Sequence, residues 1–127
     1  MDFSNYLANK LISATVRNLS YTTPSTVYLA LFTTDPTKDN DGDEVDQASY
    51  TRQEVTFTVP ADGVATNASQ IDWATATTNW GNVGWVAIMD ASTSGNMLYF
   101  AGLDNPKTIL TGDQFRINVN QLQLTLT

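Results

Sequence analysis

The chain has 127 residues, with thirteen acidic against six basic side chains, a net charge of -7, and neither cysteine nor histidine. Disulfides, thiolate or imidazole catalysis, and zinc sites built on Cys or His are thereby excluded. So acidic a balance argues against gripping a nucleic-acid backbone, which needs clustered Lys and Arg.

A hydrophobic content of 42 % marks a globular sequence. The length predicts a single domain over residues 1–127, large enough to bury a core without covalent staples. No apolar run approaches the roughly 20 residues that cross a bilayer. The start, "MDFSNYLANK", has an acid at position two and no cationic stretch, so no secretory signal and no membrane contact are expected.

Residues 1–20 read as the one helix. Phe3, Tyr6, Leu7 and Leu11 recur at three- and four-residue spacing and Ala14 continues the stripe. Ile12, Val16 and Leu19 widen it into a second apolar face. Asp2 is the expected N-cap, and "SYTTPS" with Pro24 is the expected stop. Beyond Pro24 the period becomes that of strands, and a β-sandwich is expected over residues 26–127.

"TVYLALFT", residues 26–33, is apolar on both faces and predicts a central strand covered on both sides. "YTRQEVTFTV", residues 50–59, alternates, with Val55, Phe57 and Val59 facing one way. "PADG" is a turn whose Asp and Gly tolerate positive φ. "QIDWAT" is a short strand. "NWGNVGWVAIMD" and "MLYFAGL" flank "ASTSGN" as a hairpin. "DNPK" reads as a turn and "KTIL" as a separate short strand.

From Phe115 the apolar residues sit at odd positions (Phe115, Ile117, Val119), then at even ones (Leu122, Leu124, Leu126). The parity changes across Asn120-Gln121. That predicts a bulge or break, or a strand crossing from one sheet to another. The whole reads as mainly β: an antiparallel β-sandwich of about seven or eight short strands with one N-terminal α-helix.

Candidate chemistry is sparse. "TTDPTKDNDGDEVDQ" carries Asp35, Asp39, Asp41, Asp43, Glu44 and Asp46 around Gly42. Aligned on that glycine as a calcium loop, Asp39 and Asp41 take ligand positions, but Thr37 and Ala48 fall where the first and last acids belong. The flanks are strands, not helices, so a solvated loop is the expectation, with weak calcium binding the alternative. Asp72, Asp90, Asp104 and Asp113 stand at turns or strand ends, where each has a local use as an acceptor. Lys10, Lys38 and Lys107 belong to no nucleophile motif. No enzyme and no cofactor are expected.

Of the three tryptophans, Trp73 alternates with Ile71 and should point inward, whereas Trp80, in a glycine-rich connection, should be exposed. Asn18-Leu19-Ser20 and Asn67-Ala68-Ser69 match the glycosylation sequon, idle without secretion. The wide helix and the long apolar C-terminal strand suggest contact with a partner. The expected interface residues are Phe3, Tyr6, Leu7, Leu11, Trp80, Leu122 and Leu124.

"SNYLANKLI", "YTTPSTVYLALFTTDPT", "YTRQEVTFT", "WGNVGWVAIMDASTSGNMLYFAGL" and "KTILTGDQFRI" follow in this order along nearly the whole chain. On these stretches the sequence resembles a family of small virion proteins of tailed bacteriophages, called tail-fibre proteins in some cases and capsid decoration or cement proteins in others. The resemblance implies a structural protein of the particle, made in the cytoplasm of the bacterial host, with no catalytic residue to carry over. Capsid decoration is the first expectation, because a compact chain without a fibrous repeat suits a clamp over capsomer junctions. Its partners would then be the major capsid protein and further copies of itself. A tail or tail-fibre component that helps attach to the host is the alternative.

Overall fold

A computed structural model describes residues 1–126, and within them the chain is mainly β with one short helix near the N-terminus. In order, the elements are β1 (Asp2–Phe3), α1 (Asn5–Val16), β2 (Val27–Phe32), β3 (Gln53–Val55), β4 (Val64–Thr66), β5 (Ile71–Asp72), β6 (Gly81–Met89), β7 (Met97–Ile109), β8 (Arg116–Ile117) and β9 (Gln123–Thr125). The main sheet is antiparallel in the order β1-β7-β6-β2-β3, and two ribbons, β4-β9 and β5-β8, complete the β structure.

The helix is shorter than the sequence predicts, and its cap is a different residue. Asp2 and Phe3 are extended and pair with Phe100 and Tyr99. Ser4 becomes the N-cap: its hydroxyl accepts the Leu7 N–H at 3.0 Å, while its own N–H donates to the Leu98 carbonyl at 2.9 Å. Helix start and sheet edge are thereby tied together. The far end closes before Pro24 is reached. Asn18 takes φ 56 and the Leu19 N–H returns to the Ser13 carbonyl, a left-handed exit that asparagine accepts more readily than most residues.

β2 lies between β6 and β3, central as expected. Its alternate residues serve two cores. Leu29 and Leu31, with Val86 and Ile88 of β6, face a cluster that includes Leu7, Ile71, Trp73, Phe115 and Leu122. The helix and the β5–β8 ribbon, with Leu122 just before β9, therefore cover this face. Ala30 and Phe32, with Ala87, Met89, Met97 and Phe100, form a smaller cluster on the other face.

The acidic segment covers that second face. Residues 33–43 leave β2 beside β6 and reach α1 at the opposite edge, where the Lys38 carbonyl accepts the Asn5 N–H at 2.9 Å. Pro36, within the segment, is fully buried. Gly42 is needed for close approach: a Cβ there would meet the Asp35 carbonyl and the Pro36 backbone at 2.7 Å.

β7 runs straight through "DNPK" instead of turning there and starting again. The turn chemistry appears as a bulge: Val83 pairs with Lys107 and Trp85 with Gly102, so Gly84 alone faces residues 103–106. A second irregularity, where Ile88 pairs with Tyr99 but Met89 with Met97, leaves Leu98 over, and its side chain joins the larger core.

The parity change near the C-terminus is a crossing. β8 pairs with β5, β9 pairs with β4, and Asn120 between them has φ 65. "PADG" turns with Asp62 at φ 53 and Gly63 at φ 75, as expected. Val55 points inward, but Val59 is 90 % exposed, because regular pairing of β3 ends at Val55.

Candidate interaction surfaces

The acidic loop is a pinned cover whose carboxylates point apart. Asp35 Oδ1 accepts the Thr37 N–H at 2.8 Å, Asp41 Oδ1 accepts the Thr37 hydroxyl at 2.6 Å, and Asp39 Oδ1 accepts the Asn5 amide at 2.7 Å. Among the described residues no three acidic side chains converge on a common point. The carboxylates of Asp35, Asp39 and Asp41 thus order the chain around them.

Glu44 does the most. It forms a bidentate pair with Arg52, 2.9 Å to Nε and 2.8 Å to Nη2, and accepts the Tyr50 hydroxyl at 2.6 Å. Arg52 also donates to the Ala91 and Ser94 carbonyls at 2.8 Å, and its side chain is 8 % exposed. One guanidinium therefore joins the loop, the edge of β3 and the β6–β7 turn. The hydrogen bond to Glu44 holds Arg52 above its ordinary pKa. Burial, then the bond to the Glu44 carboxylate, pushes the Tyr50 phenol up. The charge-assisted bonds of this cluster keep the loop in place.

Asn67 is a second pin that no sequence pattern announces. It is fully buried; its Oδ1 accepts the Leu122 N–H at 2.9 Å, and its amide donates to the Ser69 and Asn118 carbonyls at 2.8 and 3.0 Å. It thereby sets the crossing between β8 and β9. Its place in a sequon is incidental, since the amide nitrogen that a glycan would need is enclosed by these bonds.

The expected interface residues divide sharply. Leu7, Trp80 and Leu122 are 4, 4 and 7 % exposed and lie in the chain's own core. Trp80 corrects the expectation of an exposed ring: its Nε1 donates to the Ser49 hydroxyl at 3.1 Å and its ring meets Tyr50 edge-on at 5.5 Å. The flanking glycines serve the backbone instead, with Gly81 at φ 92. Trp73 points inward as expected, 1 % exposed and edge-on to Phe115 at 5.2 Å.

Phe3, Tyr6, Leu11 and Leu124 are half-buried. Phe3, just before the helix, and Tyr6 and Leu11, on it, pack on the core from outside, so they keep some surface to offer. The most exposed apolar side chains of the helix region, Ile12 at 58 % and Val16 at 76 %, lie on the helix's second face. The sequence marked that face as apolar without assigning it to an interface. Among the described residues no helix is long and apolar enough to cross a membrane.

Residues 2–125 match the sequence profile of a family described as podophage GP4 fiber I protein gp80. The chain belongs to this family. It is thus a member of a virion protein family of tailed phages, as the resemblance implied. No curated protein matches the sequence. The blocks that carry the resemblance fall on structural elements of this chain, among them α1, β2 with its loop, and the β6–β7 hairpin. The polar clusters around Arg52 and Asn67 serve as pins between segments.

Proposed function

We propose that this chain is a non-enzymatic module of a podophage tail fibre, acting through its surface. The observation that carries the reading is the family match over residues 2–125. Capsid decoration was the first expectation because the chain has no fibrous repeat. A compact module borne on a fibre satisfies that feature equally well, and the family's description favours the fibre. The geometry supports contact over chemistry. Asp35, Asp39 and Asp41 of the loop are engaged singly in hydrogen bonds, and the two ion pairs among the described residues, Arg52–Glu44 and Arg116–Asp72, join separate segments. Its partners are other tail or fibre proteins and further copies of the chain.

Gold-labelled antibody against the chain should mark the tail of intact particles and block their adsorption to host cells. Label spread over the head would overturn the fibre reading. Breakdown of a host surface polymer by the purified chain, abolished by changing one carboxylate, would overturn the non-enzymatic part.

A further inference from the structure

The outer face of α1 carries a knob and a hollow of matching kind. Ala8, Ile12 and Val16 follow one another at four-residue spacing and so form one ridge. Val16, at 76 % exposed, stands out at one end of it. At the other end the small Ala8 leaves a groove of about 250 Å³ lined by Phe3, Ala8, Leu11 and Ile12, whose wall is entirely apolar. Ile12, 58 % exposed, lies midway between them.

A feature of this kind is self-complementary. A twofold axis through Ile12 places the Val16 of each copy over the Ala8 hollow of the other and brings the two Ile12 side chains together. Ridges at four-residue spacing interdigitate in this way when helices pack, and an isologous contact needs only one patch to match itself.

Charge favours the same occupant. Residues 1–20 carry Asp2, Lys10 and Arg17, a net +1, while the rest of the chain carries the other twelve acids and four bases, a net -8. Copies that meet through the rest of the surface bring together regions of net negative charge. In the antiparallel arrangement Arg17, at the end of one helix, comes beside the start of the other, where Asp2 is exposed and Asp39 is bonded to Asn5. The two helix dipoles also oppose.

We propose that two copies of this chain associate through α1 as an antiparallel, twofold pair, with Val16 as the knob and the groove beside Ala8 as the hole. The proposal holds wherever on the particle the chain resides.

Sedimentation equilibrium of the full chain should return twice the 13.9 kDa chain mass. Val16→Asp should return a single-chain mass and still melt in one cooperative step, at a temperature that no longer depends on protein concentration, because the side chain it alters is exposed. The chain has no cysteine, so Ile12→Cys introduces one thiol at the axis. Mild oxidation should link that variant covalently into dimers, while Val59→Cys, at a site 90 % exposed and away from the helix, stays without a covalent link. A single-chain mass for the unaltered protein up to about 1 mM overturns the proposal. So does a mass of three or more chains, a dimer that survives Val16→Asp, or an Ile12→Cys variant that fails to link. Val16-dependent binding of a monomeric chain to a different virion protein would also overturn it, by naming another occupant.

Discussion

The two faces of the main sheet use the same strands and are closed by different means. Leu29, Leu31, Val86 and Ile88 meet a second layer of paired strands and a helix, and large apolar side chains such as Trp73 and Phe115 fill the space. On the other face the central residues are Ala30 and Ala87, small enough for an irregular loop to come close. A loop has no ladder to satisfy its backbone, so it needs polar pins. Glu44, Arg52 and the Lys38 carbonyl supply them. One face is held by bulk and the other by a few directed bonds, and they should fail differently.

The largest expected loss lies on the face held by bulk. Trp73→Ala empties a fully buried site and should cost about 3–5 kcal/mol in chemical denaturation. The loss should be global, with a single cooperative transition at lower denaturant. Trp73→Phe should cost much less, because the indole N–H it removes is buried with no partner among the described residues. Equal losses for the two variants would mean that the N–H is bonded after all.

Arg52→Ala tests the other face. Removing one member of a mostly buried pair leaves Glu44 without its partner and should cost about 3 kcal/mol. Here the distribution matters more than the sum. Amide exchange should speed up at Thr33, Asp41 and Val45, whose N–H groups close the loop, well before it changes at Trp73 or Asn67. Adding Glu44→Ala should cost less than it does alone, since the two residues share one cluster. Uniform acceleration across both faces would erase the distinction between them.

The same contrast explains what could be read from the sequence. Alternation reports which side of a strand is apolar, so β2 was legible as doubly covered, Trp73 as inward, and the crossing at Asn120-Gln121 as a change of parity. Alternation does not report what covers a face. The acidic loop was legible as a loop and not as a lid, because its role depends on Pro36 and Lys38 reaching elements distant in sequence. Trp80 looked exposed because its neighbours are glycines, yet Ser49 and Tyr50, some thirty residues earlier, enclose it. Ser4 displaced Asp2 as the cap because the Leu98 carbonyl captures the Ser4 N–H. Asn67 and Arg52 were missed altogether. Their importance comes from several partners gathered at once, and no local pattern carries that.

The smallest effect should come from the exposed side of the ribbon layer, where a polar bond contributes without bearing on the core. Asp72 accepts from Gln70 at 3.0 and 3.1 Å and from Arg116 at 2.6 Å. These two partners, Gln70 first, hold its carboxyl below the usual range. A depressed folded pKa means the unfolded chain binds the proton more readily. The contribution is therefore fully present above the ordinary value of 3.8 and fades as pH falls through the lower folded value. Asp72→Asn should lower the melting temperature slightly at neutral pH, where the contribution is present, and converge with the unaltered chain as pH falls below about 4, which flattens the acid limb of a plot of melting temperature against pH. Arg116→Gln should remove part of the same dependence and leave the share that belongs to Gln70. An exposed bond of this kind is also screened by salt, so the difference between Asp72→Asn and the unaltered chain should shrink as ionic strength rises. The difference that Arg52→Ala makes, on a side chain only 8 % exposed, should persist.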